Sequence, residues 1–214
     1  MMVMLRPEGW DWVLCRNCGM KTIRAKYCMK CGSELFSLTK APYHYHFDAI
    51  VTGEDGVGKS TFLEKFVSMD GVAHRKPAEG VYSLIFDLKE VELGVTFTET
   101  PSAAVKPEAE FAAAAVLFDL TNGPSFVKGI RLVRMLTGIK QKKVIYLIGN
   151  KLDLVRERKI STQDGLNTAA QLGCGYFEVS AVTADGLSAF RQRLIRDLLL
   201  LRLEILKKGL AKDE

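Results

Sequence analysis

Apolar and polar positions alternate along the chain in ways that mark out its elements. "YHYHFDAIVTG", from Tyr43, reads as a strand that runs into a glycine turn at Gly53. "KSTFLEKFVSM" follows, with Phe62 and Phe66 four apart and Leu63 and Val67 beside them, the spacing of a helix face. "VYSLIFDLK" and "VELGVTFTE" have period two: Tyr82, Leu84, Phe86, Leu88, then Val91, Leu93, Val95, Phe97. That pattern predicts two half-buried, adjacent antiparallel strands. "AAAAVLFDL" and "KKVIYLIGN" are unbroken apolar runs, as in strands covered on both faces.

Helix signals fill the intervals. In "NGPSFVKGIRLVRMLTG", Asn122 can cap, Pro124 can open and Gly138 can end a helix. "STQDGLNTAAQLG" has Ser161 and Asp164 at capping-box spacing and stops at Gly173. "YFEVS" is a short strand, and residues 187–210 form a long final helix. That helix carries two apolar stripes: Phe190, Leu194, Leu198, Leu201, Ile205 and Leu199, Leu203, Leu206, Leu210. Both are expected to pack internally, since large exposed apolar patches are rare; Arg191, Arg202, Lys207 and Lys208 keep a partner or membrane-surface role open. Strand–helix alternation argues an α/β fold with a mainly parallel sheet and right-handed crossovers.

Composition adds limits. The 214 residues, 48% of them hydrophobic, suit one ordinary domain plus a small module. A formal charge of +5 permits acidic partners without selecting one. No run of about 18 apolar residues is present, so no spanning helix is expected. The N-terminal residues lack a signal-peptide pattern, and "GLAKDE" has no cysteine for a prenyl anchor. A cytoplasmic location and no covalent lipid anchor are the expectations.

Four of the five cysteines crowd into 17 residues. Cys15, Cys18, Cys28 and Cys31 form C-x2-C-x9-C-x2-C, each pair followed by glycine. Two such knuckles supply four thiolates for tetrahedral Zn²⁺, with no open position for catalysis. The segment resembles a zinc ribbon, a docking module that the metal staples. Residues 1–36 are assigned to it, 37–42 to a linker and 43–214 to the second domain. Lys21, Arg24, Lys26, Lys30 and Tyr27 leave nucleic-acid binding as a lesser reading. Cys174 stands alone and reads as a structural thiol; His44 and His46 read as strand-face residues.

"GEDGVGKST" is G-x4-G-K-S between a strand and a helix. Backbone N–H groups of Gly53, Asp55, Gly56, Val57, Gly58 and Thr61 can surround phosphate oxygens, with Lys59 neutralising charge and Ser60 reaching Mg²⁺. "NKLD" follows the run "KKVIYLIG". The Asp153 carboxylate can accept from the N1–H and amine of guanine, a pattern adenine does not present. A backbone N–H in "VSA", residues 179–181, can reach the guanine carbonyl.

Together these elements resemble the small GTPases, closest to the Ras and Rab group, over roughly residues 43–200; "FDLTNGPSF" and the stretch from Leu147 to Ala181 also look Rab-like. The resemblance implies a P-loop NTPase fold with a six-stranded, mainly parallel sheet flanked by helices. It implies bound GTP or GDP with Mg²⁺, with Lys59 on the β/γ-phosphates and Ser60 on the metal. Asn150, Lys151 and Asp153 would hold guanine, with Ser180 and Ala181 completing the pocket.

The resemblance weakens at the two switches. The place of the Mg²⁺-binding threonine holds Ala78, and neither Thr61 nor Ser83 is an evident substitute. The place of D-x-x-G followed by glutamine holds Glu99, Thr100, Pro101, Ser102 and then Ala103. Glu99 can hold a Mg²⁺-bound water, whereas Ala103 cannot orient an attacking one. The segment before "VLFDL" is short, so a truncated switch helix is expected. Asp55 adds a carboxylate to the phosphate loop. The expected function is a guanine-nucleotide-binding protein that hydrolyses GTP slowly or with a partner, and docks proteins through the ribbon and last helix. A pseudo-GTPase scaffold and a nucleic-acid-associated factor are the alternatives.

Overall fold

The structure, a computed structural model, describes residues 12–14, 21–23, 30, 43–69, 73–88, 91–106, 110–138 and 143–210. Its strands are β1 (Trp12–Leu14), β2 (Lys21–Ile23), β3 (Tyr43–Gly53), β4 (Ala73–Ala78), β5 (Val81–Asp87), β6 (Val91–Pro101), β7 (Ala113–Asp119), β8 (Val144–Asn150) and β9 (Gly175–Glu178). Its α-helices are α1 (Lys59–Val67), α2 (Gly123–Thr137), α3 (Thr162–Leu172) and α4 (Leu187–Leu210).

β1 and β2 pair antiparallel, with Trp12 opposite Ile23, and β1 lies against β3. The main sheet runs β4-β5-β6-β3-β7-β8-β9. β6, β3, β7, β8 and β9 run parallel to one another. β4, β5 and β6 are joined by antiparallel pairing. The six expected strands are thus present, and β4 adds a seventh at the edge. Its sequence, "AHRKPA", has no alternation that would mark it. An edge position tolerates Pro77, which cannot donate to a ladder.

The period-two strands pair antiparallel as predicted, but β5 is buried on both faces from Tyr82 to Phe86 rather than half-buried. Tyr82 faces Phe97, Leu84 faces Val95 and Phe86 faces Leu93, and all six are buried. Every residue of β7 is buried, which accounts for its unbroken apolar run. One core layer packs the sheet against α1 and α4, with the Phe190 ring in contact with those of Phe62, Phe66 and Tyr146. The other layer packs it against α2 through Phe118, Val133, Leu136 and Leu147. Each large side chain fully buried there contributes about 1.5–3 kcal/mol relative to exposure.

The caps are those the sequence signals. Asn122 accepts from the Ser125 amide at the start of α2, and Ser161 accepts from the Asp164 amide at the start of α3. Gly173 closes α3 in the left-handed conformation. α4 departs from expectation. Phe190, Leu194, Leu198 and Leu201 are buried, but Ile205 and the second-stripe residues Leu203 and Leu206 are 40–52% exposed. Leu199 is half-buried, and the Leu210 side chain lies outside those described. Beyond Leu201 the helix has run past the core that buries its first stripe. No described helix is long and apolar enough to cross a membrane.

Candidate functional site

The loops at the C-terminal ends of β3, β6, β7 and β8 converge on one edge of the sheet. β3 ends at Gly53, and the loop from Glu54 to Gly58 returns into α1. Only glycine fits the two ends of this loop. A Cβ on Gly53 would lie 2.3 Å from the Leu117 carbonyl oxygen, and one on Gly58 would lie 2.6 Å from Asn150 Nδ2. Gly58 caps α1 with φ of 89° and offers no side chain to the first-turn amides. Those amides, at a helix N-terminus, form a setting for an anion.

Lys59 is 92% buried by its surroundings, with 8% exposed. Its Nζ donates to the carbonyls of Gly53 (3.3 Å) and Glu54 (3.0 Å) and stands 3.5 Å from Asp55 Oδ1. Val57 is buried beneath the loop, whereas Gly56, Ser60 and Thr61 are exposed. The Ser60 hydroxyl donates to Glu99 Oε1 at 3.0 Å, so two oxygen groups proposed for one cation meet across α1 and β6. The Glu99 amide in turn donates to the Gly80 carbonyl at 2.7 Å, tying β6 to the β4–β5 turn.

Ala78 ends β4 as an exposed residue beside that turn, with no side-chain oxygen. Ser83 is buried and exchanges a hydrogen bond with Thr96. After β6 the chain makes one 3-10 turn, Ser102–Ala104, in which Ser102 is half-buried and Ala103 exposed.

The loops after β8 and β9 form the other half. Asn150, 2% exposed, donates from Nδ2 to the Val57 carbonyl (2.9 Å) and accepts at Oδ1 from the Ala181 amide (3.0 Å). One side chain thereby joins the phosphate loop, the end of β8 and the loop after β9. Lys151 adopts φ of 66°, a left-handed conformation costly for a side chain with Cβ. Its ammonium lies 2.7 Å from Asp119 Oδ2. Asp153 is exposed and accepts at Oδ1 from the Ser180 hydroxyl (2.6 Å). Ser180 Oγ also accepts from the Val182 and Thr183 amides, which fixes its rotamer.

Asp119 was not singled out by spacing, although a carboxylate closing a buried apolar strand is a signal for one. Burial pushes its carboxyl up, but hydrogen bonds from Lys151 and from the Thr121 hydroxyl and amide outweigh that and hold it below its ordinary value. The contact of Glu54 with Lys128 on α2 was also missed, because the partners lie 74 residues apart. Cys174 fits the structural reading: burial lifts its thiol to about 11, so little thiolate exists near neutrality. A cavity of about 430 Å³, lined in part by Cys174, Tyr146 and Asp197, opens between α4 and the starts of β8 and β9, at the far end of these strands from the loops. Cys15, Cys18, Cys28 and Cys31 lie outside the described residues, and no group of three or more His, Cys, Asp or Glu suited to a metal occurs among the described ones.

The chain is similar in sequence to known proteins. Residues 48–200 match the Ras family. Human "Ras-related and estrogen-regulated growth inhibitor" is 28% identical over 144 residues, covering 64% of this chain and 72% of that protein. "Ras-related protein RabC" of Dictyostelium discoideum is 28% identical over 163 residues, covering 71% and 83%. "Ras-related protein Rab11A" of Lotus japonicus is 30% identical over 183 residues, covering 81% and 80%. With the P-loop sheet in place and the match spanning most of its length, the chain belongs to the Ras family of small GTPases.

Proposed function

We propose that this protein binds guanine nucleotide at the convergent loops and turns GTP over slowly, or only with a partner's help. The observation that carries the reading is the double hydrogen bond of Asn150, which holds the phosphate loop and both base-side loops in one fixed arrangement. Amides of residues 53–61 and the Lys59 ammonium would hold the phosphates. Asp153, oriented by Ser180, would accept from guanine, and Lys151, anchored on Asp119, would lie along the base with Ala181 beside it. The Ser60 hydroxyl and Glu99 carboxylate are hard oxygen donors that suit Mg²⁺, whose chemistry at such a site is to neutralise phosphate charge.

Ala78 and Ala103 support weak catalysis. Neither side chain can ligate a metal or orient water, and the single turn Ser102–Ala104 is in keeping with the truncated switch that the sequence suggests. The same observation favours a second reading, a pseudo-GTPase that keeps nucleotide as a structural ligand. In either case the N-terminal module is read as a Zn²⁺ ribbon, supported by β1 and β2 on either side of the first C-x2-C pair. The exposed leucines of α4 support a protein-docking role for its outer end.

The test is to denature the purified protein, identify the released nucleotide, and follow single-turnover GTP hydrolysis with Mg²⁺. Guanine nucleotide with slow turnover is expected. Adenine nucleotide, or none even after loading, would sink the guanine reading. Bound GTP never cleaved, with candidate partners present, decides for the scaffold.

A further inference from the structure

The phosphate loop carries two carboxylates in succession, and each meets a different cation. Glu54 pairs with Lys128, which reaches across from α2. Asp55 is fully exposed at its side chain, yet its Oδ1 turns back to within 3.5 Å of Lys59 Nζ. The Lys59 ammonium has three donor directions. Two point to the Gly53 and Glu54 carbonyls, and Asp55 lies within ion-pair distance at 3.5 Å. The cation that would receive phosphate is therefore already complemented within its own loop.

Building on the guanine-nucleotide reading, we propose that Asp55 is a built-in competitor for Lys59, an anion that phosphate must displace and that disfavours the triphosphate more than the diphosphate. The argument is one of charge. A docking polyphosphate brings like charge against Asp55 at short range, and each added phosphate increases it. Lys59 is 8% exposed, so the ammonium itself is little screened, whereas Asp55 stands in water, which moderates the repulsion without removing it. Lys128 is a positioning residue in this scheme. By neutralising Glu54 from the α2 side, it keeps a second carboxylate from adding to the repulsion.

Displacement of fluorescent GDP by unlabelled GDP and GTP, in Mg²⁺ buffer on the full chain, measures both affinities. Asp55→Asn is expected to tighten GTP by about tenfold and GDP by about threefold. Asp55→Ala, which removes the carboxylate without adding an amide, must move the GTP-to-GDP ratio the same way. Lys128→Ala should weaken both nucleotides by about fivefold, and Glu54→Gln in the same chain should restore them. Thermal melts of each variant separate a loss of fold from a change in affinity. An unchanged ratio in folded Asp55→Asn and Asp55→Ala overturns the competitor role. A Lys128→Ala loss that Glu54→Gln leaves in place overturns the positioning role. If wild type and both Asp55 variants are folded and bind neither nucleotide, it is the guanine-nucleotide reading that fails.

Discussion

Asp119 and Lys151 meet at 2.7 Å where β7 ends and the chain leaves β8. The pair lets Lys151 hold its left-handed backbone, since the ion pair and the two bonds from Thr121 offset the strain. It also links stability to pH. The Asp119 carboxyl is depressed in the folded state, so its contribution is fully present above the ordinary aspartate value of 3.8 and is lost as pH falls through the lower folded value. Asp119→Asn is expected to cost about 1–3 kcal/mol at pH 7 and to flatten the loss of stability below pH 4. Urea unfolding at pH 7, 5 and 3 checks both effects. Some acid slope will remain, because Glu178 is also held below its ordinary value: burial raises it, but bonds from Arg158 and Tyr176 prevail. At this scale motif spacing put Lys59, Ser60, Asn150 and Asp153 forward as candidates, and the structure brings them to one end of the sheet. The sequence was silent where contact depends on how elements pack. Glu54 and Lys128 are 74 residues apart and meet only because α2 packs against β3.

α4 shows the limit of periodicity within an element. Its two leucine stripes repeat with similar spacing, and nothing in the pattern says which one faces the core. Packing selects the stripe of Phe190, Leu194, Leu198 and Leu201, and leaves Leu203 and Leu206 in contact with water. Leu198→Ala is expected to cost about 2–5 kcal/mol through lost burial and a cavity. Leu203→Asp, at a 52% exposed position, should shift stability by no more than about 0.5 kcal/mol. Denaturation midpoints of the two variants distinguish core from surface. β4 was missed for a related reason. An edge strand is held by main-chain pairing to β5, so its side chains need no alternation. The alternating strands β5 and β6 were legible as an adjacent antiparallel pair, though not their register.

For the whole molecule, alternation of strand and helix was enough to indicate an α/β fold with a mainly parallel sheet, because parallel strands need crossovers and both faces need cover; the P-loop fold was what the motif resemblance implied. The N-terminal module rests on its cysteine spacing. Metal analysis is expected to find about one zinc per chain in wild type and less than half in Cys15→Ser. The absence of zinc from both would refute the ribbon.

β3 unites these scales. It follows the segment assigned as linker, pairs along all its residues with Val91–Pro101 on one side, and from Ala49 to Gly53 with Ala113–Leu117 on the other. It ends in the phosphate loop. Both neighbours are parallel to it, so a pull on Tyr43 along the strand loads its hydrogen bonds in shear and all at once. A strand of this length spans about 36 Å. Tension entering at Tyr43 would be shared among these bonds and fall off along the strand, so the loop after Gly53 is shielded for as long as the sheet holds.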